Sequence, residues 1–514
     1  MRHPSGYAYL QGFRGIVGRP SPYRMDWCSF IRLPCPVLFS LLAGCVTSHY
    51  DRTEDFRFSW KVGDVRGAAE QAADLARSGP KRDRLLYHLE EGATRRAAGD
   101  GPGSIAALGA AEREYEKWFG AHHKTQVRLS EEFASTIGSA EWKPYKSRIY
   151  ERVMLWLYQS INYLEAGDHG RARAEIFKAR QAVTDAKLLW KKELDRAREE
   201  MKKKGIDLDK TVARPDAIRK NDEVLKEARA HVPANLPDYV NPAALYLDSV
   251  YFLHTGTASS DFEKAEFSLG QLLAIHPENP WIREDYEQAM AGRFTSEPTT
   301  YLFLETGRAA RRTEFRLEYP LSVTEVLPAQ LALLLMDPTS RIPYLGVAVP
   351  RLRMNASHLA GLRVEAEDLP ATVETMPLAD LDAIIAKEFD KTYPVELAKA
   401  IGGALTKAGI QHIVTDAVRE KDETTRVATG IGIGMLAHAT TRADLRQWST
   451  LPKKILFCKF PTPAKKRLTL RGIDRNLVTE VELPDGQTNL LWVRSVTPFT
   501  PLRIVANFTL DRNS

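Results

Sequence analysis

The hydrophobic periodicity of this chain changes once along its 514 residues, and this change limits the folds that the chain can adopt. From residue 61 to residue 292, apolar residues recur every three to four positions, which is typical of amphipathic helices. From residue 298 onward, apolar and polar residues alternate between Pro- and Gly-containing turns, which is typical of strands. The sequence therefore predicts a multidomain α + β protein with an all-α domain over residues 61–292 and a β-rich domain over residues 298–514.

The helical region contains three helix–turn–helix patterns. In the clearest one, residues 148–167 and 168–180 each form an amphipathic helix, and Gly167 is placed to end the first helix. A second pattern starts at Pro242, and a third, weaker one begins at Leu85. Each pattern predicts a pair of antiparallel helices joined by a short turn.

These patterns resemble tetratricopeptide repeats, which have a glycine near the end of the first helix, small and large apolar residues in the second helix, and a proline after it. The spacing between the copies is irregular, so the region is identified as a degenerate tetratricopeptide-like helical repeat domain. The resemblance implies a concave face that binds segments of other proteins. The alternative is a helical bundle without a groove.

Two further predictions concern the connections between the repeats. Charges of both signs alternate along Lys187–Lys204, which favours a solvent-exposed continuation of the preceding helix over a membrane-surface or nucleic-acid-binding helix. Residues 205–240 are polar and contain three prolines. Their composition predicts a mobile excursion.

The β-rich region contains nine runs with strand-type alternation, namely 301–304, 313–319, 345–349, 362–366, 454–460, 466–470, 477–483, 489–495 and 502–509. Asp485-Gly486 lies between two of these runs and predicts a hairpin. Residues 379–389 and 394–419 predict two inserted helices, the second with Pro394 in its first turn. The combination predicts a β-sandwich-like domain that carries a helical insertion.

A short apolar segment near the N-terminus resembles a bacterial lipoprotein signal. The apolar run from Val37 to Val46 follows Arg32, ends in small residues, and is too short to span a bilayer as a helix. Its final residues Leu42, Ala43, Gly44 and Cys45 resemble the lipobox, in which the cysteine is diacylated and the chain is then cut before it. The alternative is a buried core segment.

The resemblance to a lipobox implies a location as well as a modification. Residues 1–44 are predicted to be a signal peptide, and residues 45–60 a lipidated tether. Val46 follows the cysteine where an aspartate would have suggested retention in the inner membrane, so the resemblance points to the periplasmic face of the outer membrane. Acyl chains anchor a protein stably when more than one is attached.

The 44 residues before Cys45 are long for such a signal. The stretch from Met25 to Gly44 has 20 residues and contains Arg32 as its positive charge. We therefore predict that Met25 is the true start of translation.

Charge and cysteine content constrain the processed chain further. The net charge of the whole chain is +6, and removal of residues 1–44, with five arginines and one aspartate, takes away four of these charges and leaves +2. A nearly neutral chain offers no electrostatic argument for a nucleic acid partner.

Of four cysteines, only Cys458 would remain unmodified, so no internal disulfide is expected. Its place in an alternating run favours a buried strand cysteine over a reactive thiol.

Sequence motifs for catalysis and metal binding are absent. The chain contains no GxxxxGK, HExxH, CxxC or GxSxG pattern. The glycine-rich stretch Gly430–Gly434 favours close helix packing, His122-His123 favours a surface pair, and His438 with Asp444 lacks a nucleophile. We therefore predict a protein without enzymatic activity, metal or cofactor.

Three stretches of the C-terminal half resemble an uncharacterised family of proteobacterial periplasmic lipoproteins with a helical-repeat N-terminal region. They are residues 302–307, 346–350 and 443–452, the last reading Ala-Asp-Leu-Arg-Gln-Trp-Ser-Thr-Leu-Pro. The family has no established activity, so the resemblance implies location and architecture but no site. Within the third stretch, Asp444, Arg446 and Trp448 are predicted to form a structural cluster, with Arg446 paired to Asp444 and Trp448 packed beneath.

These observations lead to two function hypotheses of different classes. The first is a membrane-anchored envelope scaffold that binds an envelope protein through its helical repeats. The alternative is a regulator that binds cell-wall glycan or lipid through the C-terminal domain, because aromatic residues are spread over both halves of the chain.

Overall fold

Helices occupy the N-terminal part of the chain and strands most of the C-terminal part, as the change in periodicity predicts. The computed structural model describes residues 48–119, 141, 143–203, 215–292, 297–320, 344–369, 371–417 and 442–510. This part of the chain contains twelve α-helices and three sheets, which confirms a mixed α/β fold. Met1–Ser48 and His49–Ser514 are separate compact units, and only Ser48 of the first unit is described.

The helices are α1 His49–Arg52, α2 Glu54–Val62, α3 Val65–Ser78, α4 Arg84–Ala97, α5 Gly101–Phe119, α6 Ile149–Glu165, α7 His169–Lys203, α8 Pro215–Ala230, α9 Pro242–Thr255, α10 Ser259–Ile275, α11 Pro280–Met290 and α12 Leu381–Ala417. The three predicted helix pairs are present as α4–α5, α6–α7 and α9–α10, and the continuation of α7 through Lys187–Lys203 is confirmed. None of the described helices combines the length and apolar character needed to cross a bilayer.

Local residues explain where these helices begin and end. The Asn241 side chain accepts hydrogen bonds from the first free backbone N–H groups of α9, and Pro242 occupies the first helical position, where a proline loses no bond. Gly167 adopts a φ of +73° after α6, and the N–H of Asp168 donates to the carbonyl of Tyr163 at 2.8 Å. This left-handed end confirms the predicted role of Gly167.

Two segments predicted to be irregular are helical. The region predicted as a tether up to residue 60 contains α1 and most of α2, in which Phe56 and Trp60 are buried, so its part from His49 onward is packed helix. The predicted mobile excursion 205–240 is wrong for its second part, because α8 buries Val224 and Ala228 in the core. Apolar residues four positions apart supply the burial that offsets the polar composition of the segment.

The two helices predicted on either side of Pro394 form the single helix α12. The expected break at this proline is therefore wrong. A proline inside a helix removes one backbone hydrogen bond, but Phe389 and Tyr393 before it and Leu397 after it are all buried. Tertiary packing on both sides of the proline keeps the helix continuous.

The strands are β1 Thr299–Thr306, β2 Arg311–Pro320, β3 Tyr344–Arg353, β4 Leu362–Glu365, β5 Val373–Glu374, β6 Met376–Asp380, β7 Lys454–Pro461, β8 Arg467–Gly472, β9 Val478–Glu482, β10 Thr488–Ser495 and β11 Arg503–Thr509. All nine predicted strands are present among them. A five-stranded sheet has the order β11-β10-β1-β7-β6, a four-stranded sheet has the order β5-β4-β8-β9, and β2 pairs with β3.

The two faces of β1 contact different parts of the molecule. β1 lies between β10, with which it is parallel, and β7, with which it is antiparallel. Tyr301 and Phe303 on one face join the apolar cluster of the helices. Leu302 and Leu304 on the other face join a cluster that contains residues of the four-stranded sheet. The period-two alternation of strands therefore places the five-stranded sheet between helices and a second sheet.

The hairpin predicted at Asp485-Gly486 is wrong. β9 precedes this turn and belongs to the four-stranded sheet, whereas β10 follows it and belongs to the five-stranded sheet. Both edges of β10 are occupied, one by β1 and the other by β11, so β10 has no hydrogen-bonding edge for β9. The turn carries the chain from one sheet to the other.

The helical and strand regions share one hydrophobic core. The change from helix to strand lies where the sequence places it, between the end of α11 at Met290 and the start of β1 at Thr299. The Arg96 guanidinium of α4 forms a fully buried ion pair of 2.8 Å with Glu305 of β1. The predicted regions 61–292 and 298–514 therefore lie within the single compact unit His49–Ser514.

Candidate protein-interaction groove

The 443–452 segment, defined by residues 443 to 452, contains the three residues predicted to form a structural cluster. The Arg446 guanidinium donates to both carboxylate oxygens of Asp444, each at 2.8 Å. It also donates to Asp83 at 2.8 Å and to the Lys143 carbonyl at 2.9 Å. Burial by itself would raise the pKa of Asp444, but the guanidinium outweighs it and lowers this pKa to about 2. The structure therefore brings Asp444 and Arg446 together and adds a partner from the helical region.

Trp448 is buried and packs its ring edge against Tyr158 of α6, with ring centroids 5.7 Å apart. Its indole N–H donates to the Thr450 hydroxyl at 2.8 Å. Its backbone N–H donates to Glu151 of α6 at 2.9 Å. Glu151 in turn accepts a hydrogen bond from the Tyr145 hydroxyl, so one buried carboxylate holds Trp448 and the chain before α6.

Glu90 of α4 holds the end of the same segment. Its two carboxylate oxygens accept four hydrogen bonds, from the backbone N–H and the hydroxyl of both Ser449 and Thr450, at 2.6 to 3.1 Å. Burial nevertheless raises the pKa of Glu90 to about 7, although these four donors oppose the shift. The 443–452 segment is thus held by carboxylates of two helices that lie more than 290 residues away in sequence.

This raised pKa makes the contribution of Glu90 to stability depend on pH. The folded state keeps the proton up to pH of about 7, whereas the unfolded state loses it near 4.5, so the free energy of unfolding falls between these values as pH rises. Glu90→Gln removes this titration. We expect the variant to gain about 3 kcal/mol relative to the wild type between pH 4.5 and pH 7.5, since one pKa unit corresponds to about 1.4 kcal/mol.

Urea denaturation of both proteins at several pH values measures this difference. Lost hydrogen bonds lower the stability of Glu90→Gln by an amount that does not vary with pH, so the slope is the informative quantity. Glu263→Gln at an exposed position on α10 serves as the control for the substitution itself. A difference between Glu90→Gln and the wild type that does not vary with pH would contradict the raised pKa.

A second buried polar network joins the helices to the five-stranded sheet. Asp285 of α11 accepts from the hydroxyls of Tyr246 and Tyr301 at 2.7 and 3.0 Å and from Lys459 of β7 at 2.7 Å. His254 lies 3.0 Å from the Tyr301 hydroxyl. Burial is the main cause that raises the pKa of both tyrosines well above 10, and the negative charge of Asp285 adds to it, so both hydroxyls stay protonated. The five side chains of this network are buried, and the network holds the helices and the five-stranded sheet together.

A groove lies between α4, α5 and α6 on the helical side of the molecule. It is a shallow groove, and its cavity volume of about 10 Å³ is roughly what one water molecule needs. Buried apolar side chains line it together with two half-buried aromatic rings, and they are Leu85, Leu89, Ala111, Leu155, Tyr115 and Trp156. Its polar lining includes Glu112, Glu116 and Arg152. An apolar surface groove with polar groups at its edge offers contact area to a partner chain, and it is not an enclosed pocket for a small ligand.

Several polar atoms of the groove-lining residues have no hydrogen-bond partner within the described part of the chain. They are the Ser147 hydroxyl, the Arg152 Nε and the Trp156 indole nitrogen. The Arg152 Nη1 donates to the Tyr115 hydroxyl at 2.5 Å. The three atoms are buried below the groove surface, and similar atoms occur elsewhere among the described residues, so they do not by themselves indicate a ligand.

The close approach of α4 and α5 depends on one glycine. A Cβ atom at Gly92 would overlap the side chain of Leu108. Glycine therefore lets the two helices that form one side of the groove pack directly against each other. Gly92 belongs to the helix pair that the sequence predicts from Leu85 onward, and the structure shows that it lies at the contact between the two helices.

Several residues singled out in the sequence lie outside the described residues. They are Leu42, Ala43, Gly44, Cys45, His122, His123, Gly430–Gly434 and His438. Cys458 is described, and its burial in β7 confirms the predicted strand cysteine. Burial raises the pKa of its thiol, which disfavours the reactive thiolate form. Among the described residues, no group of three or more His, Cys, Asp or Glu side chains is arranged to hold a metal ion.

Sequence reasoning missed the roles of Glu90, Glu151 and Asp285, which are spread over three helices. Their only local signal is a carboxylate on an otherwise apolar helix face.

A scan against protein families, a search of curated proteins and a search of solved structures each found no match to this chain.

Proposed function

We propose that this chain is a lipid-anchored lipoprotein on the periplasmic face of the outer membrane, and that it acts as a scaffold which binds an envelope protein in the groove between α4, α5 and α6. The anchor is Cys45, within the proposed lipobox that includes Leu42 and Gly44. The proposed role is non-enzymatic and requires no cofactor or nucleic acid. The observation that carries it is the solvent-facing groove lined by apolar side chains and by the half-buried rings of Tyr115 and Trp156.

The finer architecture belongs to the same proposal. The consecutive helix pairs α4–α5, α6–α7 and α9–α10 support a degenerate tetratricopeptide-like arrangement. The apolar cluster shared by the five-stranded and four-stranded sheets supports a β-sandwich-like C-terminal part, with α12 as its helical insertion. In this arrangement the sheets support the helices that form the groove.

The lining of the groove indicates which partner segment would fit. Tyr115 and Trp156 offer ring surfaces to an apolar or aromatic side chain, because aromatic residues contribute most to such interfaces. The Glu112 carboxylate is already paired with Lys178 at 2.7 Å, whereas the Arg152 guanidinium donates to the neutral Tyr115 hydroxyl. A peptide segment that combines a large apolar residue with an acidic residue beside it complements these groups.

Site-specific photocrosslinking in cells tests this proposal. We expect a photoreactive amino acid at Glu116 to form one discrete adduct with an envelope protein, whereas the same probe at the exposed residue Glu263 of α10 should not form it. Arg152→Glu reverses a charge in the groove and should reduce the adduct at least about tenfold, since truncating or reversing an interface charge costs more than about 1.4 kcal/mol.

The matched control for the charge reversal is Arg283→Glu, which lies on α11, outside the groove. It should leave the adduct unchanged. Identical products from positions 116 and 263, or an adduct that is insensitive to Arg152→Glu, would rule out the groove as the binding site. A conventional melting curve for each variant shows that the fold is retained.

A further inference from the structure

Exposed large apolar side chains concentrate on one part of the described surface. Nine such side chains are exposed among the described residues, and six of them belong to α1, α2, the region around the β8–β9 turn and the loop after β10. Scattered exposed apolar residues need no explanation, whereas a contiguous patch on a protein surface marks an interaction site. We define the anchor-side patch as Phe58, Val62, Ile473 and Phe499.

Two contacts bring together the segments that carry these residues. A Cβ atom on Gly63, which follows Val62, would lie 2.6 Å from the Thr500 side chain, so the end of α2 touches the loop that carries Phe499. The Arg475 guanidinium lies 4.9 Å from the centre of the Phe499 ring and connects that loop to the turn that carries Ile473. The three segments that carry the patch residues are therefore neighbours, although they are distant in sequence.

The patch is presented by a firmly packed element. α2 buries Phe56 and Trp60 on its inner face, and the Arg494 guanidinium of β10 lies 5.5 Å from the Trp60 ring. Phe58 and Val62 are four residues apart and share the outer face of the same helix. Their exposed fractions are 65% and 53%, and that of Phe499 is 75%, so most of each side chain faces solvent.

In sequence, part of this patch is close to the proposed anchor. Only Val46, Thr47 and Ser48 separate Cys45 from His49, the first residue of α1. Acyl chains on Cys45 would tie α1 and α2, the helices nearest to it along the chain, to the bilayer through this short connection.

The charges around the patch are compatible with a bilayer surface. Lys61 and Arg475 are exposed beside it, and long basic side chains can place their charged groups among lipid head groups while their stems cover apolar surface. Acidic residues on α1 and α2 balance these charges, so apolar burial rather than net charge would hold the patch on the membrane.

We propose that the anchor-side patch lies on the bilayer that holds Cys45, with Phe58 and Phe499 inserted at the level of the lipid head groups. This inference rests on the proposed lipid anchor and is independent of the groove. It gives the scaffold a defined orientation, because the anchor and the patch together form two membrane attachments instead of one.

Single-cysteine labelling of the lipidated full chain tests the orientation. Cys458 is fully buried and Cys45 would be blocked by its lipid, so an introduced exposed thiol is the reactive one. An environment-sensitive fluorophore is attached to Phe58→Cys, to Phe499→Cys and, as the control, to Phe267→Cys, which has a similar exposed fraction of 66% on α10. The proteins are reconstituted into vesicles of phosphatidylethanolamine and phosphatidylglycerol.

We expect the fluorophores at positions 58 and 499 to show blue-shifted emission. Brominated lipids should quench these fluorophores roughly twofold more strongly than the fluorophore at position 267, because a group at the membrane interface reaches the acyl boundary. Water-like emission at all three positions would overturn the proposal. A blue shift without quenching by brominated lipid would show that protein rather than lipid covers the patch, and would overturn it as well.

Two further measurements separate failure of the patch from failure of the anchor or the groove. Incorporation of a labelled fatty acid into the wild type, and its loss in Cys45→Ser, tests the anchor alone. If the protein is lipidated and sediments with vesicles, but the probes at positions 58 and 499 show water-like emission, the proposed anchor stands and the proposed membrane contact of the patch is wrong. Failure of crosslinking at position 116 would rule out the groove as the binding site, and it would leave the fluorescence result unaffected.

Discussion

Replacement of Arg446 by alanine is expected to lower the free energy of unfolding by about 3–5 kcal/mol, the range found when one partner of a buried ion pair is removed. Arg446 is fully buried and pairs with Asp83, also buried, and with Asp444. Its loss leaves the Asp83 carboxylate without its closest cationic partner in the described structure. Urea denaturation at neutral pH, followed by circular dichroism, measures the change.

The chain offers a matched control for this variant. Arg363 forms an ion pair with Glu374 at 2.8 Å, the same separation as in the buried pair, but both side chains are about half exposed. Arg363→Ala should change the free energy of unfolding by at most about 1 kcal/mol, because water and salt screen exposed charges. Equal effects of the two substitutions would contradict a special role for Arg446 in joining the 443–452 segment to the helices.

Trp448→Ala is expected to destabilise the protein by a similar amount, about 3–5 kcal/mol, which is typical of removing a large aromatic side chain from a core. The indole is 1% exposed and also donates to Thr450, which in turn donates to Glu90. The substitution leaves a cavity next to Tyr158 and removes one bond of this chain. The melting temperature and the urea midpoint should both fall.

Trp448→Phe separates the two contributions of the indole. Phenylalanine fills most of the volume but cannot donate to Thr450, so this variant should lose only about 1–2 kcal/mol. Unchanged stability of Trp448→Ala would refute the fold-fixing role predicted for the Asp444, Arg446 and Trp448 cluster. A loss as large in Trp448→Phe as in Trp448→Ala would assign the effect to the hydrogen bond instead of packing.

The positions of the helices and strands follow from the sequence because they depend on local periodicity. Nine predicted strands and the three predicted helix pairs are present, and Gly167 ends α6 as a left-handed residue. In each case the apolar side chains that set the pattern are close together in sequence. The exceptions, α8 and the region around Pro394, are helices whose tertiary contacts outweigh an unfavourable local composition.

The candidate groove was only partly predictable from the sequence. The resemblance to helical repeats implied a concave binding face but did not say which helices would form it. The lining residues come from α4, α5, α6 and the chain just before α6. Side chains such as Ser147 and Trp156 become groove residues only when these elements meet, because neither has a neighbour in sequence that indicates a ligand.

The sequence by itself determined the strands, most of the helices and the apolar face of each, because neighbouring residues set these properties, whereas α1, α2, α8 and the continuity of α12 needed the tertiary structure. Only the tertiary structure decided that β1 lies between β10 and β7, and that β9 and β10 separate into different sheets. It also decided that Glu90, Glu151 and Asp83 bind the 443–452 segment. Strand pairing and buried hydrogen bonds join residues hundreds of positions apart, and the burial that makes these bonds strong exists only after the helices and sheets have packed together.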